Sequence, residues 1–153
     1  MLALVLYQPD IPQNTGAIMR LCACLGVEVH VIEPAGFDLS DRALRRAGMD
    51  YLVHVHLMRH LSWQEFSDWR QQQGRRLVLL TTAADRTYTD FAYADGDMLA
   101  LGRESAGVPD AVHAAAHAPI RIPMVAGLRS LNVATAAAMV LGEALRQTDG
   151  FPE

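Results

Sequence analysis

The chain contains no lysine: all 13 of its basic residues are arginine. An arginine- and alanine-biased composition accounts for this, and a preference for two-pronged phosphate contacts is the functional alternative. Acidic residues outnumber basic ones by 17 to 13, for a formal net charge of −4. That balance excludes attraction of nucleic acid by overall charge, so any such contact must use a local patch. There are two cysteines, Cys22 and Cys24. Two positions apart on a helix they face roughly opposite ways, so they neither pair nor share a metal, and they read as small core residues. Aromatic residues make up 7% of the chain. No apolar run approaches the roughly 20 residues that span a bilayer. The opening Met1–Tyr7 lacks a basic flank and a small-residue cleavage site, so it reads as a strand, and a cytoplasmic location is expected. No G-x-x-x-x-G-K-[ST] loop and no G-x-S-x-G elbow occurs, which argues against P-loop nucleotide hydrolysis and against a hydrolase of the serine-elbow type.

The chain has 153 residues, 51% of them hydrophobic and 20% charged, which fits one soluble domain with a real core. Leu2–Tyr7 is a continuous apolar run, as a strand buried on both faces requires. Further strands are expected at Val27–Ile32, Tyr51–Leu57, Leu77–Leu80, Met98–Leu101 and Ile120–Ile122. Helices are expected from Asn14 or Thr15 to Leu25, over Asp41–Ala47, from the Ser62–Glu65 capping box to Gln73, over Pro109–Ala116, and from Leu131 to about Gln147. Alternating strands and helices predict a single α/β domain over residues 1–153, with a mostly parallel sheet flanked by helices. The last helix, Val133–Gly142, is small and apolar nearly all round. It needs burial on more than one side, as a central core helix or at a subunit interface, and a homodimer is expected.

Three strand exits are polar. Asn14-Thr15-Gly16-Ala17-Ile18-Met19-Arg20 follows the first strand, Gly102-Arg103-Glu104-Ser105-Ala106-Gly107 follows the fifth, and Arg129-Ser130-Leu131-Asn132 follows Ile122-Pro123-Met124. Short polar residues at a helix start leave hydroxyl, amide and backbone N–H groups facing whatever sits above the sheet. Three such exits imply one composite site at the carboxyl ends of the strands. Each segment also has a plainer account: Arg20 as a surface residue of an amphipathic helix, Gly102–Gly107 as an ordinary turn, Ser130 as a helix cap. Elsewhere, Arg42, Arg45 and Arg46 form the best local basic patch, suited either to clamping phosphates or to a solvated face paired with Asp41 and Asp50. His54 and His56 alternate on an expected strand with His60 nearby, and His113 and His117 stand four apart. Neither pair brings a clear third ligand, so no metal is expected.

Taken together, the three exits resemble the motifs of the SPOUT methyltransferases, in the SpoU branch that methylates ribose 2′-hydroxyls in RNA. Order and spacing match over nearly the whole chain. Leu4–Pro9, Ile32–Phe37 and Leu44–Tyr51 are similar to the compact subgroup that acts on the tRNA wobble position. Val108 stands where Leu is more usual, and Leu131 where some relatives carry Met. The resemblance implies a C-terminal trefoil knot, a homodimer, S-adenosylmethionine as methyl donor, and tRNA as substrate, methylated at the wobble cytidine or modified uridine. It also implies a cofactor site at Leu80, Thr81, Gly102, Gly107, Ile122, Met124, Ser130 and Leu131. Asn14, Arg20, Glu104, Ser130 and Asn132 match the family's catalytic positions, and Arg20, Arg42, Arg45, Arg46 and Arg129 are the arginines expected to meet RNA. Guanidinium almost never loses a proton, so Arg20 is expected to bind phosphate and stabilise negative charge at the 2′-oxygen rather than act as base. The competing readings are a SpoU enzyme acting on ribosomal RNA or another tRNA position, a non-catalytic RNA-binding module, and an unrelated nucleotide-binding α/β protein, for which no fingerprint is present.

Overall fold

The computed structural model describes residues 1–40, 42–43 and 52–153. Among the described residues six strands form one sheet: β1 Ala3–Tyr7, β2 Glu28–Ile32, β3 Leu57–His60, β4 Leu77–Leu80, β5 Met98–Leu101 and β6 Ala118–Ile120. Their order is β3-β2-β1-β5-β4-β6, and every pairing is parallel. Among the described residues four helices with full bounds cover the sheet: α1 Pro12–Leu25, α2 Trp63–Gln73, α3 Asp110–Ala115 and α4 Val133–Thr148.

All of β1 and β5 is buried, as their unbroken apolar runs require. Alternate side chains feed two cores. Leu4, Leu6, Val29, Val31, Leu99 and Leu101 face one side with Ile18 and Met19 of α1 and Val140 and Leu141 of α4. Ala3, Val5, Met98, Ala100, Leu77 and Leu79 face the other, against Phe66 of α2 and Val112 of α3. Polar staples hold the amino ends of the strands. Arg75 donates to Met1 and Gly96 carbonyls and to Glu28, and Arg76 clamps buried Asp97 with two hydrogen bonds of 2.7 and 2.6 Å. The carboxyl ends are thereby left for other uses.

Several boundaries differ from the sequence expectation. The third strand is Leu57–His60, and His54 sits in a short 3-10 turn before it. His54 and His56 therefore do not share a strand face. β6 ends at Ile120, so Ile122 lies in the loop beyond it. Pro12 opens α1 at its first turn, with Ile11 at the cap position and no side-chain cap bond. Proline suits that place because its missing N–H is one that no helix could pair. Asn14 and Thr15 consequently do not cap the helix. Cys22 is buried but Cys24 is exposed, correcting its assignment to the core. The expected helix at Asp41–Ala47, with Arg45 and Arg46, falls largely outside the described residues; Arg42 is exposed. The Ser62 box forms with one change: Ser62 Oγ accepts from the Glu65 N–H at 3.1 Å, while Glu65 accepts from Leu61 N–H at 3.2 Å.

Candidate active site

The sheet winds outward from β1 through β2 to β3, then resumes on the other side of β1 with β4, β5 and β6. Ligands of open α/β sheets lie at the carboxyl ends beside such a reversal. A cavity of about 660 Å³ lies there, within the size range of small-molecule sites. Leu80 and Thr81 at the end of β4, Leu101 and Gly102 at the end of β5, and Ile122 and Met124 beyond β6 line it. Gly107, Arg129, Ser130, Leu131 and Asn132 complete much of the wall, with Asn14 and Glu104 beside them.

The polar side of this cavity is built from α4 outward. Asn132 is the N-cap of α4, and its Oδ1 accepts from Ala134 N–H at 2.9 Å and Thr135 N–H at 3.2 Å. That duty fixes the amide's orientation, so Nδ2 must donate outward, and it does so to Asn14 Oδ1 at 2.9 Å. The Asn14 amide is fixed in turn, and its Nδ2 donates to Glu104 Oε1 at 3.4 Å. The other Glu104 oxygen accepts from the Asp10 N–H at 3.0 Å. Two hydrogen bonds spanning 118 and 90 positions thus join three residues in one directed chain ending on a carboxylate. Burial raises the Glu104 pKa above the usual carboxylate range, and the Asp10 carboxyl beside it adds to the rise. Asp10 is held low by its hydrogen bond with Glu104, by Ser105, which donates to Oδ2, and by nearby Arg103.

The turn that carries Glu104 depends on two glycines. Arg103 and Gly107 exchange backbone hydrogen bonds of 2.9 Å in both directions. Gly107 has φ +64°, and a Cβ at Gly102 would lie 2.8 Å from the Gly107 Cα and carbonyl carbon. Close backbone approach across the turn requires these glycines, as well as any approach to a ligand.

Asn14, Glu104, Ser130, Asn132, Arg129 and all eight residues expected to hold a cofactor therefore meet at one cavity. Ser130 does so without capping a helix, since Asn132 has that role. Arg20 is not among the lining residues. It is exposed on α1, six positions and about 9 Å along the axis from Asn14, and about 120° round the helix from it. Asp10 and His113 were missed as site residues. The signal for Asp10 was an acidic residue between two prolines directly after a buried strand. His113 lines the cavity from α3, whereas His117 lies beyond that helix and accepts from Leu77 N–H at 3.0 Å. Among the described residues no group of three potential ligands can hold a metal, and no helix is long and apolar enough to cross a membrane.

The model of the SpoU rRNA Methylase family matches residues 1–142. The chain belongs to the SpoU methylase family. A tRNA (cytidine(34)-2′-O)-methyltransferase of Beijerinckia indica is 65% identical over 144 residues, covering 94% of this chain and 90% of that protein. A solved structure concerned with 2-OH methylation of C/U34 on tRNA is 41% identical with a TM-score of 0.89, covering 96% of this chain and 95% of that one. The SpoU methyltransferase AviRb of Streptomyces viridochromogenes, solved with the cofactor AdoMet, is 29% identical with a TM-score of 0.86, covering 95% of this chain and 59% of that one. In this SpoU family member the three polar strand exits meet at the cavity through Asn14, Glu104, Ser130 and Asn132.

Proposed function

We propose that this chain transfers the methyl group of S-adenosylmethionine to the ribose 2′-hydroxyl of the wobble nucleotide, cytidine or modified uridine, of tRNA. The observation that carries this is the convergence of Asn14, Glu104, Ser130 and Asn132 on a cavity with one apolar wall, in a chain whose relatives are named for that reaction. The cavity fits such a donor. Leu80, Leu101, Ile122, Met124 and Leu131 offer apolar surface to a nucleobase and thioether, and Thr81, Ser130 and exposed backbone offer hydrogen bonds to a sugar and amino-acid tail. When bound, S-adenosylmethionine supplies an electrophilic sulfonium methyl carbon. The Asn132–Asn14–Glu104 chain then holds the polar groups that orient the attacking hydroxyl, and Arg129 at the rim meets RNA phosphate. We read residues 1–153 as one SPOUT methyltransferase domain in which the segments after β5 and β6 thread a trefoil knot, as in the family.

Arg20 enters through a second subunit. Gln13, Ala17, Arg20 and Cys24 recur at helical spacing as an exposed stripe on α1. Thr135, Ala138, Met139 and Arg146 form an exposed stripe on α4, which packs beside α1. Small residues on both stripes permit close approach, and we infer a homodimer across them. In it Arg20 of one subunit reaches the other's cavity, binds an RNA phosphate and stabilises negative charge developing at the 2′-oxygen.

Purified protein is to be incubated with methyl-labelled S-adenosylmethionine and separate pools of tRNA and ribosomal RNA, and the labelled nucleotide mapped. Label at the wobble ribose of tRNA is expected. Label in ribosomal RNA or at another tRNA position would replace the substrate, and absence of cofactor binding by calorimetry would remove the catalytic reading altogether.

A further inference from the structure

The carboxyl group of Glu104 has a built environment that hydrogen bonding to Asn14 alone does not require. Asp10 stands behind it, outside the cavity, on the loop leaving β1. Gln8 begins that loop at φ 42°, a left-handed conformation that non-glycine residues seldom adopt. The loop is pinned from two sides. Gly36 donates to the Pro9 carbonyl at 2.8 Å, and a Cβ on Gly36 would lie 2.7 Å from Asp10 Cβ, so only glycine leaves Asp10 its place. Arg103 donates to Gln8 Oε1 at 3.3 Å and lies 3.6 Å from Asp10 Oδ2, which also accepts from Ser105. The remaining oxygen, Asp10 Oδ1, is buried and has no conventional donor. The Asp10 and Glu104 side chains lie within hydrogen-bonding reach of each other, and a carboxyl pair with one oxygen left without a donor is suited to sharing a proton.

We propose that Glu104 is the general base of the methyl transfer, that Asp10 is its positioning partner, and that the two carboxyls take up the ribose proton as one unit. The step balances. The O2′–H bond breaks and its proton passes to Glu104. The freed oxygen pair forms the O–CH₃ bond. The S–CH₃ bond breaks with its electron pair left on sulfur, turning sulfonium into neutral thioether. The proton then leaves to solvent past Asp10 and Ser105. Among the described lining residues Arg103 and Arg129 cannot serve, because guanidinium holds its proton. His113, on α3, brings an imidazole to the same wall. Opposed environments bear on the pair: burial lifts Glu104, which strengthens its carboxylate as a proton acceptor, while Ser105 and Arg103 help keep Asp10 ionised beside it.

The inference rests on the methyl-transfer reading, and the two fail differently. If wild-type protein does not methylate the tRNA wobble ribose, that reading fails before any variant is made. Given wild-type activity, single-turnover rates at saturating S-adenosylmethionine and tRNA are to be measured over about pH 5 to 9. Cofactor dissociation constants are measured by calorimetry in parallel. Glu104→Gln is expected to lose at least about a hundredfold in rate while binding cofactor within about threefold of wild type. Asp10→Asn removes the neighbouring charge, lowers the Glu104 pKa and moves the acid limb of the rate profile to lower pH. Ser105→Ala removes a donor from Asp10, raises the affinity of the pair for a proton and moves that limb the other way. A merely structural role would not give limb shifts of opposite sign. A Glu104→Gln rate within about tenfold of wild type would overturn the proposal. So would an acid limb unmoved by Asp10→Asn or Ser105→Ala, or one that follows His113→Asn instead. Should Glu104→Gln fail to fold, the two limb shifts decide.

Discussion

Asn132 and Ser130 are two residues apart, line the same cavity, and do different work. Asn132 caps α4 with one face of its amide and steers Asn14 with the other, so Asn132→Ala removes both. Loss of the cap is expected to cost about 1 kcal/mol of stability, and release of Asn14 on the order of a hundredfold in methylation rate. Ser130→Ala removes a cavity hydroxyl without touching a cap. It is expected to leave denaturant stability within about 0.5 kcal/mol of wild type while weakening catalysis or cofactor binding. Urea titration with methylation assays on both variants separates the roles, and equal stability losses would refute the assignment of the cap. Both residues were legible as site candidates because short polar side chains after an apolar strand have few other uses. Which one capped the helix was not legible, since Ser and Asn serve equally well there. Asp10 escaped notice because its partner, Glu104, lies 94 positions away.

Strands with unbroken apolar runs were legible nearly to the residue: β4 and β5 have the bounds read from the sequence. β3 was displaced because its polar side chains obscure the pattern. One of them, His60, is buried against His30 of β2 with rings stacked 5.3 Å apart, beneath Phe66 and Trp69 of α2. Glu28 only accepts, so His30 Nε2 donates to it at 3.4 Å, and with His30 neutral its Nδ1 accepts from His60 Nε2 at 3.0 Å. Two charged rings would set N–H against N–H across this contact, so at least one ring must be neutral. Burial pulls His30 down to about 4, against the opposing pull of Glu28, with His60 and Arg75 adding to the fall. Burial lowers His60 too, opposed by Glu65. A group whose folded pKa lies below its unfolded value of about 6.5 stabilises the fold above that pH. The contribution is then lost as pH falls from about 6.5 towards about 4. The loss from His30 is on the order of 3 kcal/mol once titration is complete. Melting temperature is expected to fall through this window before most carboxylates titrate, and His30→Gln to flatten the fall. An unchanged slope would show that the pair is not what gives way.

At the scale of the whole molecule, everything the cavity needs is present in one chain except the cation assigned to it, since Arg20 stands on the outer face of α1. Local pattern placed Arg20 beside Asn14 in sequence. It could not tell that about 120° of helical rotation separates their directions. Nor could it foresee that the convergence of three distant exits would depend on the strand order rather than on any one motif. The proposed two-fold dimer would restore the missing group reciprocally, each subunit supplying Arg20 to the other. Two inactive variants then complement. Arg20→Ala keeps an intact cavity, and Gly102→Ala keeps Arg20 while its Cβ collides with the Gly107 backbone and spoils the cofactor turn. Mixed dimers hold one site in which an intact cavity meets an intact Arg20. Random mixing makes half the dimers mixed, each with one working site of two, so about a quarter of wild-type methylation is expected after subunit exchange. Melting curves verify that Gly102→Ala is folded before mixing. If the mixture stays as inactive as its parents although sedimentation detects mixed dimers, Arg20 acts within its own chain, and the inferred interface must be redrawn around a cavity that closes on itself.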